Sequence, residues 1–297
     1  MKKLAAALFA LGTVVFPCGE TWAAEPLKLS ADSNLTLTQN SYSSNWTGSE
    51  AGSFSWTVNA LLTAEKQFSK SLQNKNTLKA SYGKTHNQDR SSKEWADPVT
   101  STDLLDIESV LRVTREWLVD PYISVRLESK YFDSSDTAYL RYINPATLTE
   151  SIGAALTLMK TGKREWQLRL GAAGKQNVIH GVLDPSAGTR GSDISNSGGI
   201  QFVSNFVSSL LGDNITVISN TTLYQALVNS RTGQVLPPGQ EELWKSPDMN
   251  WENIFTAGIT KYIMVNLYLQ LLYDRELASD IRIKETVAMG LTYRFSN

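Results

Sequence analysis

Phe54-Ser55-Trp56-Thr57-Val58-Asn59-Ala60-Leu61-Leu62-Thr63-Ala64-Glu65 is the stretch that decides the fold. Phe54, Trp56, Val58, Ala60, Leu62 and Ala64 fall on one side of an extended chain, and Ser55, Thr57, Asn59, Thr63 and Glu65 on the other. Only Leu61 breaks the polar side. A strand has a side-chain period of two, so this is a sheet segment with one apolar and one polar face. The pattern recurs outward in both directions. Leu78, Ala80 and Tyr82 oppose Thr77, Lys79 and Ser81; Leu105, Ile107 and Leu111 oppose Asp106, Glu108 and Arg112. Ile123, Val125 and Leu127 oppose Ser124, Arg126 and Glu128, continuing to Lys130; Trp166, Leu168 and Leu170 oppose Gln167 and Arg169. Near the end, Ile283, Val287, Met289, Leu291, Tyr293 and Phe295 oppose Lys284, Thr286, Thr292 and Arg294. A face carrying Arg126, Glu128 and Lys130 cannot enter an apolar core unpaired. It needs water or opposite charge, so the apolar face belongs outside, against lipid, and the polar face inside. The alternation is weakest from Gly199 to Val228, where Asn205, Ser209 and Thr221 blur both faces.

Connections give a second regularity. Short turns near 69–75, 118–121, 160–164, 212–214 and 261–263 alternate with longer polar segments near 41–51, 84–103, 132–147, 176–198, 229–249 and 276–281. Transmembrane barrels place short turns on one side and long loops on the other, and an even strand number keeps both termini together. The expectation is an all-β fold, a closed antiparallel transmembrane β-barrel of about twelve strands. Aromatics gather at strand ends, as bilayer interfaces favour. Phe68, Trp117, Tyr122, Trp166, Tyr262 and Tyr293 lie beside short turns, and Phe54, Trp56, Tyr82, Tyr131 and Tyr273 beside long loops. The rival fold, a soluble β-sandwich, would have to bury about twelve strands in one unusually large core.

Met1-Lys2-Lys3, the apolar run Leu4–Phe16 and Thr21-Trp22-Ala23-Ala24 have the form of a signal peptide. Residues 1–23 are therefore expected to be a leader, and 24–297 a single barrel domain. Cys18 is the only cysteine and falls within that leader, without the small preceding residues that lipoprotein processing needs. The expected mature chain has no thiol, which rules out disulfides, zinc–cysteine sites and cysteine nucleophiles. No apolar run is long enough for a membrane-spanning helix. A formal charge of -1 offers no basic surface for nucleic acid.

By parity, the lumen-lining candidates are Lys79, Asp106, Glu108, Arg112, Arg126, Glu128, Lys130, Arg169, Lys284 and Arg294, with Glu65, Glu252 and Asp274 on the same face. The signs nearly balance, whereas a strongly ion-selective pore has a one-signed lining. Mixed charge suits a narrow channel for neutral or zwitterionic solutes, or a lumen closed by internal salt bridges. Ser109, Ser129 and Glu285 are polar positions on the outer face.

Catalytic constellations are weak, and the chain is expected not to be an enzyme. His86 precedes Asn87-Gln88 and His180 precedes Gly181-Val182, so neither has a serine two residues away on its own strand face. Asp97, Asp103 and Asp274 fit a rim protease by position alone. Asp184, Asp193, Asp213 and Asp248 are oxygen ligands without ordered calcium-loop spacing. No catalytic, metal or cofactor site, and no cofactor, is expected.

At its C-terminal end, Tyr293-Arg294-Phe295 resembles the aromatic closing strand of Gram-negative outer-membrane proteins, although Ser296-Asn297 follow the final aromatic. Asn45-Trp46, Gly48 and the stretch from Asn144-Pro145 to Gly153 resemble an uncharacterised outer-membrane barrel family of unknown function. The resemblance implies the bacterial outer membrane as the location, and outer-membrane lipid and the barrel-assembly machinery as partners. The function expected is a narrow passive channel or transport protein for small solutes. A non-conducting structural or surface-binding barrel is the first alternative and an outer-membrane hydrolase the second.

Overall fold

The computed structural model describes residues 26–42, 51–89, 91–114, 118–136, 138–183, 188–211, 214–231 and 242–296, the side chains of Arg294 and Ser296 excepted. The leader with Cys18, Asn45-Trp46 and Gly48, Trp117, Asp184 and Asp213 lie outside the described residues.

The alternating segments form strands β1 (Lys28–Asn40), β2 (Ser53–Ser69), β3 (Leu72–Asn87), β4 (Val99–Val113) and β5 (Asp120–Ser129). Then come the two short strands β6 (Phe132–Asp133) and β7 (Arg141–Tyr142). The wall resumes with β8 (Ala146–Thr161), β9 (Arg164–Leu183), β10 (Arg190–Leu210), β11 (Ile215–Asn229), β12 (Asp248–Gly258), β13 (Ile263–Tyr273) and β14 (Arg282–Ser296). Twelve of these make one closed barrel, each paired with its neighbours in sequence, while β6 and β7 form a separate two-stranded ribbon. Antiparallel pairing of β14 with β1, for example Leu291 with Leu35 and Gly290 with Thr36, closes the ring and leaves no sheet edge.

Burial is inverted relative to a soluble protein. Ile152, Leu170 and Val287 expose 63%, 57% and 64% of their surface, whereas Asp106 and Arg169 keep 5% and 6%. Apolar groups form the coat and charged groups the interior, the distribution demanded when lipid is the outer solvent.

One sequence expectation is corrected. The segment 176–198 is not a long loop: β9 and β10 carry their ladder up to Leu183 paired with Arg190. They are the longest strands, 20 and 21 residues. The region 199–228, where the alternation is weakest, does hold the two strands expected of it: β10 and β11 are paired from Ser197–Asn229 to Leu210–Ile215 with a single register shift. Its outer face keeps polar side chains because they bond one another: Trp166 Nε1 donates to Ser204 at 3.0 Å, Trp251 Nε1 to Ser219 at 3.1 Å, and Ser219 to Asn253 at 2.8 Å.

The ribbon between β5 and β8 is pinned by Asn144, which is 0% exposed. Its amide donates to Asp133 at 2.5 Å, and its carbonyl accepts the backbone N–H of His180 on β9 at 2.7 Å. Arg141 completes the anchor with a 2.8 Å ion pair to Asp133. Outside the wall, Asp136 is held below the usual carboxylate range by the Arg190 guanidinium and the Ala138 amide. Without the Asn144 side chain Asp133 keeps Arg141 but loses one donor, and the His180 N–H loses its acceptor, a loss of about 1–3 kcal/mol. Asn144→Ala is therefore expected to free residues 131–145 while the barrel stays closed. Limited proteolysis should cut this ribbon faster in the variant, with the unboiled gel mobility unchanged; equal cutting rates would refute the anchoring role.

Candidate functional site

The interior positions converge on a lattice of ion pairs. Arg126 on β5 grips Asp106 on β4 through two parallel bonds, 3.0 and 2.9 Å, and reaches Glu128 at 2.9 Å. Two-point guanidinium–carboxylate geometry fixes orientation as well as charge. Arg169 on β9 binds Glu108 on β4 at 2.6 Å, with its guanidinium 5.5 Å from the Tyr122 ring centre. Arg112 binds Asp120 and donates to Thr157 at 2.7 Å. Lys175 pairs with Asp248 at 2.6 Å and sits 4.3 Å from the Tyr224 ring centre.

The most informative contact joins Lys79 on β3 to Glu252 on β12 at 2.9 Å. The two strands are five apart one way round the ring and seven the other, close to diametrically opposite. Twelve strands about 4.8 Å apart, tilted by about 40°, enclose a circle roughly 24 Å across between backbones. An extended lysine and an extended glutamate with the hydrogen bond between them reach only about 14 Å. The barrel is therefore flattened along this line, and the pair spans its short axis. Glu252 also accepts the Tyr268 hydroxyl at 3.1 Å and the Asn220 amide at 3.3 Å, so its oxygens are shared among three donors. Nearer the loop end, Lys284 on β14 donates to Thr102 on β4 at 3.2 Å.

Of the positions singled out by parity, Lys79, Asp106, Glu108, Arg112, Arg126, Glu128, Arg169 and Lys284 all meet inside the barrel in the contacts above. Lys130 does not join them: β5 ends at Ser129, so Lys130 lies beyond the strand and is exposed. Arg294 stands on β14 with its backbone opposite Asp32; its side chain lies outside the described residues. Asp120 and Tyr122, which the sequence suggested only as a turn and an interface aromatic, are buried members of the lattice. Parity could have found both, since they share a face with Arg126. Asp248 and Asp193, weighed as calcium ligands, are instead paired with Lys175 and Arg231. His180 Nδ1 lies 2.9 Å from Ser192 Oγ across the β9–β10 ladder, at the exposed rim. At the turn end, Pro26, Lys28, Glu65, Gln67, Gln73 and Lys160 line a polar cavity of about 170 Å³.

Residues 37–134 match the model of a protein family of unknown function, DUF3078. No curated protein matches the chain. Among solved structures, the chain is similar to the COG4313 outer membrane channel from Pseudomonas putida F1, at 13% identity and TM-score 0.43, covering 95% of this chain and 100% of that one. It is also similar to the β domain of the Bordetella autotransporter BrkA, at 9% identity and TM-score 0.32, covering 92% and 99%. The translocator domain of the autotransporter NalP from Neisseria meningitidis gives 9% identity and TM-score 0.36, covering 99% and 95%. The fold is a closed, antiparallel, twelve-stranded β-barrel with an apolar outer coat and a charged interior.

Proposed function

We propose that the protein is a small-bore passive channel of the bacterial outer membrane, with its long loops outside and its short turns and termini in the periplasm. The supporting observation is the combination of an apolar coat with a polar interior: a closed wall that only isolated itself from lipid would have no need of so many polar and charged groups within. The constriction is the ion-pair lattice, where charges of both signs neutralise one another and leave little net field to select by sign. The last strand, with Tyr293 and Phe295 exposed on its outer face, is the segment we expect the barrel-assembly machinery to recognise.

Planar-bilayer recording on purified protein, shown to be folded by faster migration of the unboiled sample, should give small steady openings with weak ion selectivity. Sealed bilayers from folded protein would overturn the channel reading. They would favour a non-conducting barrel, the second reading, whose support is the Lys79–Glu252 pair across the short axis.

A further inference from the structure

The Lys79–Glu252 bridge splits the lumen into unlike halves. On one side, which runs from β4 through β5, β8, β9 and β10 to β11, the space is filled: Tyr122, Ser124, Thr149, Ser151 and Arg169 keep only 3%, 5%, 5%, 4% and 6% of their surface, and Gln201 and Val203 on β10 and Tyr224 on β11 are buried as well. The Ser124 and Ser151 hydroxyls bond each other at 2.7 Å, and Arg126–Asp106 and Arg169–Glu108 bind β5 and β9 to β4. The other side, bounded by β2, β1, β14 and β13, differs. Its ladder rows bring Ser81, Asn59 and Asn34 onto one level and Thr57 beside Thr36 on the next, with Thr286 further toward the loop end. Ser81 donates to Asn59 at 2.7 Å, and the Asn59 amide to Asn34 at 2.8 Å. Asn34, Thr57, Asn59 and Ser81 are half-exposed and Thr286 is exposed, whereas Thr36 is buried with its hydroxyl on the Thr57 carbonyl. Between the bridge and the Lys284–Thr102 contact above it, this lining is uncharged among the described residues. Charge returns toward the periplasmic mouth at Asp32, Lys28 and Glu65.

Resting on the channel reading, we infer that solute crosses only the half lined by Ser81, Asn59, Asn34, Thr57 and Thr286, and that its cargo is small, uncharged and rich in hydroxyl or amide groups. Each lining group both donates and accepts hydrogen bonds, so it can exchange one water for one solute hydroxyl with little loss. An ion entering the same narrow strip would shed water and meet no formal counter-charge. The filled half cannot open without separating buried ion pairs.

The test uses single cysteines in a Cys18→Ser background, reconstituted in liposomes, with each variant checked for folding by its heat-dependent gel shift. Thr57→Cys and Thr286→Cys report the uncharged half, and Ser151→Cys the filled half. A bulky methanethiosulfonate should modify the first two and cut swelling in a four-carbon polyol several-fold. Ser151→Cys should stay unmodified, or be modified without effect on swelling. Polyol swelling in the unsubstituted protein should exceed that in a carboxylate of equal size by at least about tenfold. Modification of Thr57→Cys and Thr286→Cys that leaves swelling unchanged, or a block from Ser151→Cys alone, overturns the assignment of the path while the channel reading stands. Equal rates for polyol and carboxylate overturn the cargo class. Absence of both swelling and conductance in folded protein removes the channel reading and this inference together.

Discussion

Glu252→Leu is expected to destabilise the barrel by about 3 kcal/mol, whereas Lys79→Met combined with Glu252→Leu recovers all but about 1 kcal/mol of that loss. The single change strands an ammonium on the short axis and removes the acceptor that the Tyr268 hydroxyl and the Asn220 amide share. Breaking one partner of a buried pair costs about 3–5 kcal/mol because the remaining charge is desolvated without compensation. The lower end applies because the Lys79 side chain retains 26% of its exposure and is partly screened by lumen water. Replacing both partners with apolar groups of similar length removes the stranded charge and leaves only the two unpaired dipoles. Urea unfolding in lipid vesicles, followed by tryptophan fluorescence, measures both. Equal losses in the single and double variants would show that the pair contributes through packing alone.

Gly171→Val is expected to cost about 3 kcal/mol or to prevent closure of the wall. Gly171 on β9 pairs with Gly153 on β8, which in turn pairs with Tyr122 on β5. A Cβ at Gly171 would stand 2.4 Å from the Ile152 carbonyl oxygen and 2.8 Å from the Tyr122 hydroxyl. The ring could rotate away, but the carbonyl belongs to the neighbouring strand and moves only if β8 moves. Glycine here marks a close backbone approach that an aromatic ring then covers. Gly174, three residues along the same strand, has nothing within 4 Å of its would-be Cβ. Gly174→Ala should therefore stay within about 0.5 kcal/mol of the parent. Heat-modifiability and vesicle unfolding of the two variants side by side provide the measurement; equal effects would refute the crowding account.

The wall was legible wherever lipid touches it. From Phe54 to Ala64, or from Leu105 to Val113, one face must be apolar, and the period of two announces itself. Legibility failed where that pressure lapses. On the upper parts of β9 and β10, Lys175, Gln176, Asn177, Ser192, Asp193, Ser195 and Asn196 extend the ladder with polar groups on both faces. The hydrogen bonds of the backbone continue, but no alternation betrays them, and the sequence resembles a loop. Along β10 to β12 the failure has another cause: Ser204, Ser219 and Asn253 face outward as a mutually bonded set with Trp166 and Trp251, so polarity stops reporting the face. Interior membership could be deduced for most charged residues, since parity assigns a side of the sheet. Which residue each would meet could not, because Lys79 and Glu252 are 173 positions apart and their contact depends on how far the ring flattens.

The length of β9 and β10 also makes the rim lopsided. A strand of about twenty residues rising 3.3 Å each and tilted by about 40° climbs roughly 50 Å, about twice the height of the apolar band of such barrels. The excess stands above the lipid band as a stiff hairpin on one flank, and the Asn144-pinned ribbon braces it close to its far end, at His180 and Arg190. A rim with one high, rigid flank and lower neighbours is unequal in what it lets approach: a large body arriving on the β9–β10 side meets ordered backbone before it reaches the mouth, and one arriving from the β1–β14 side does not.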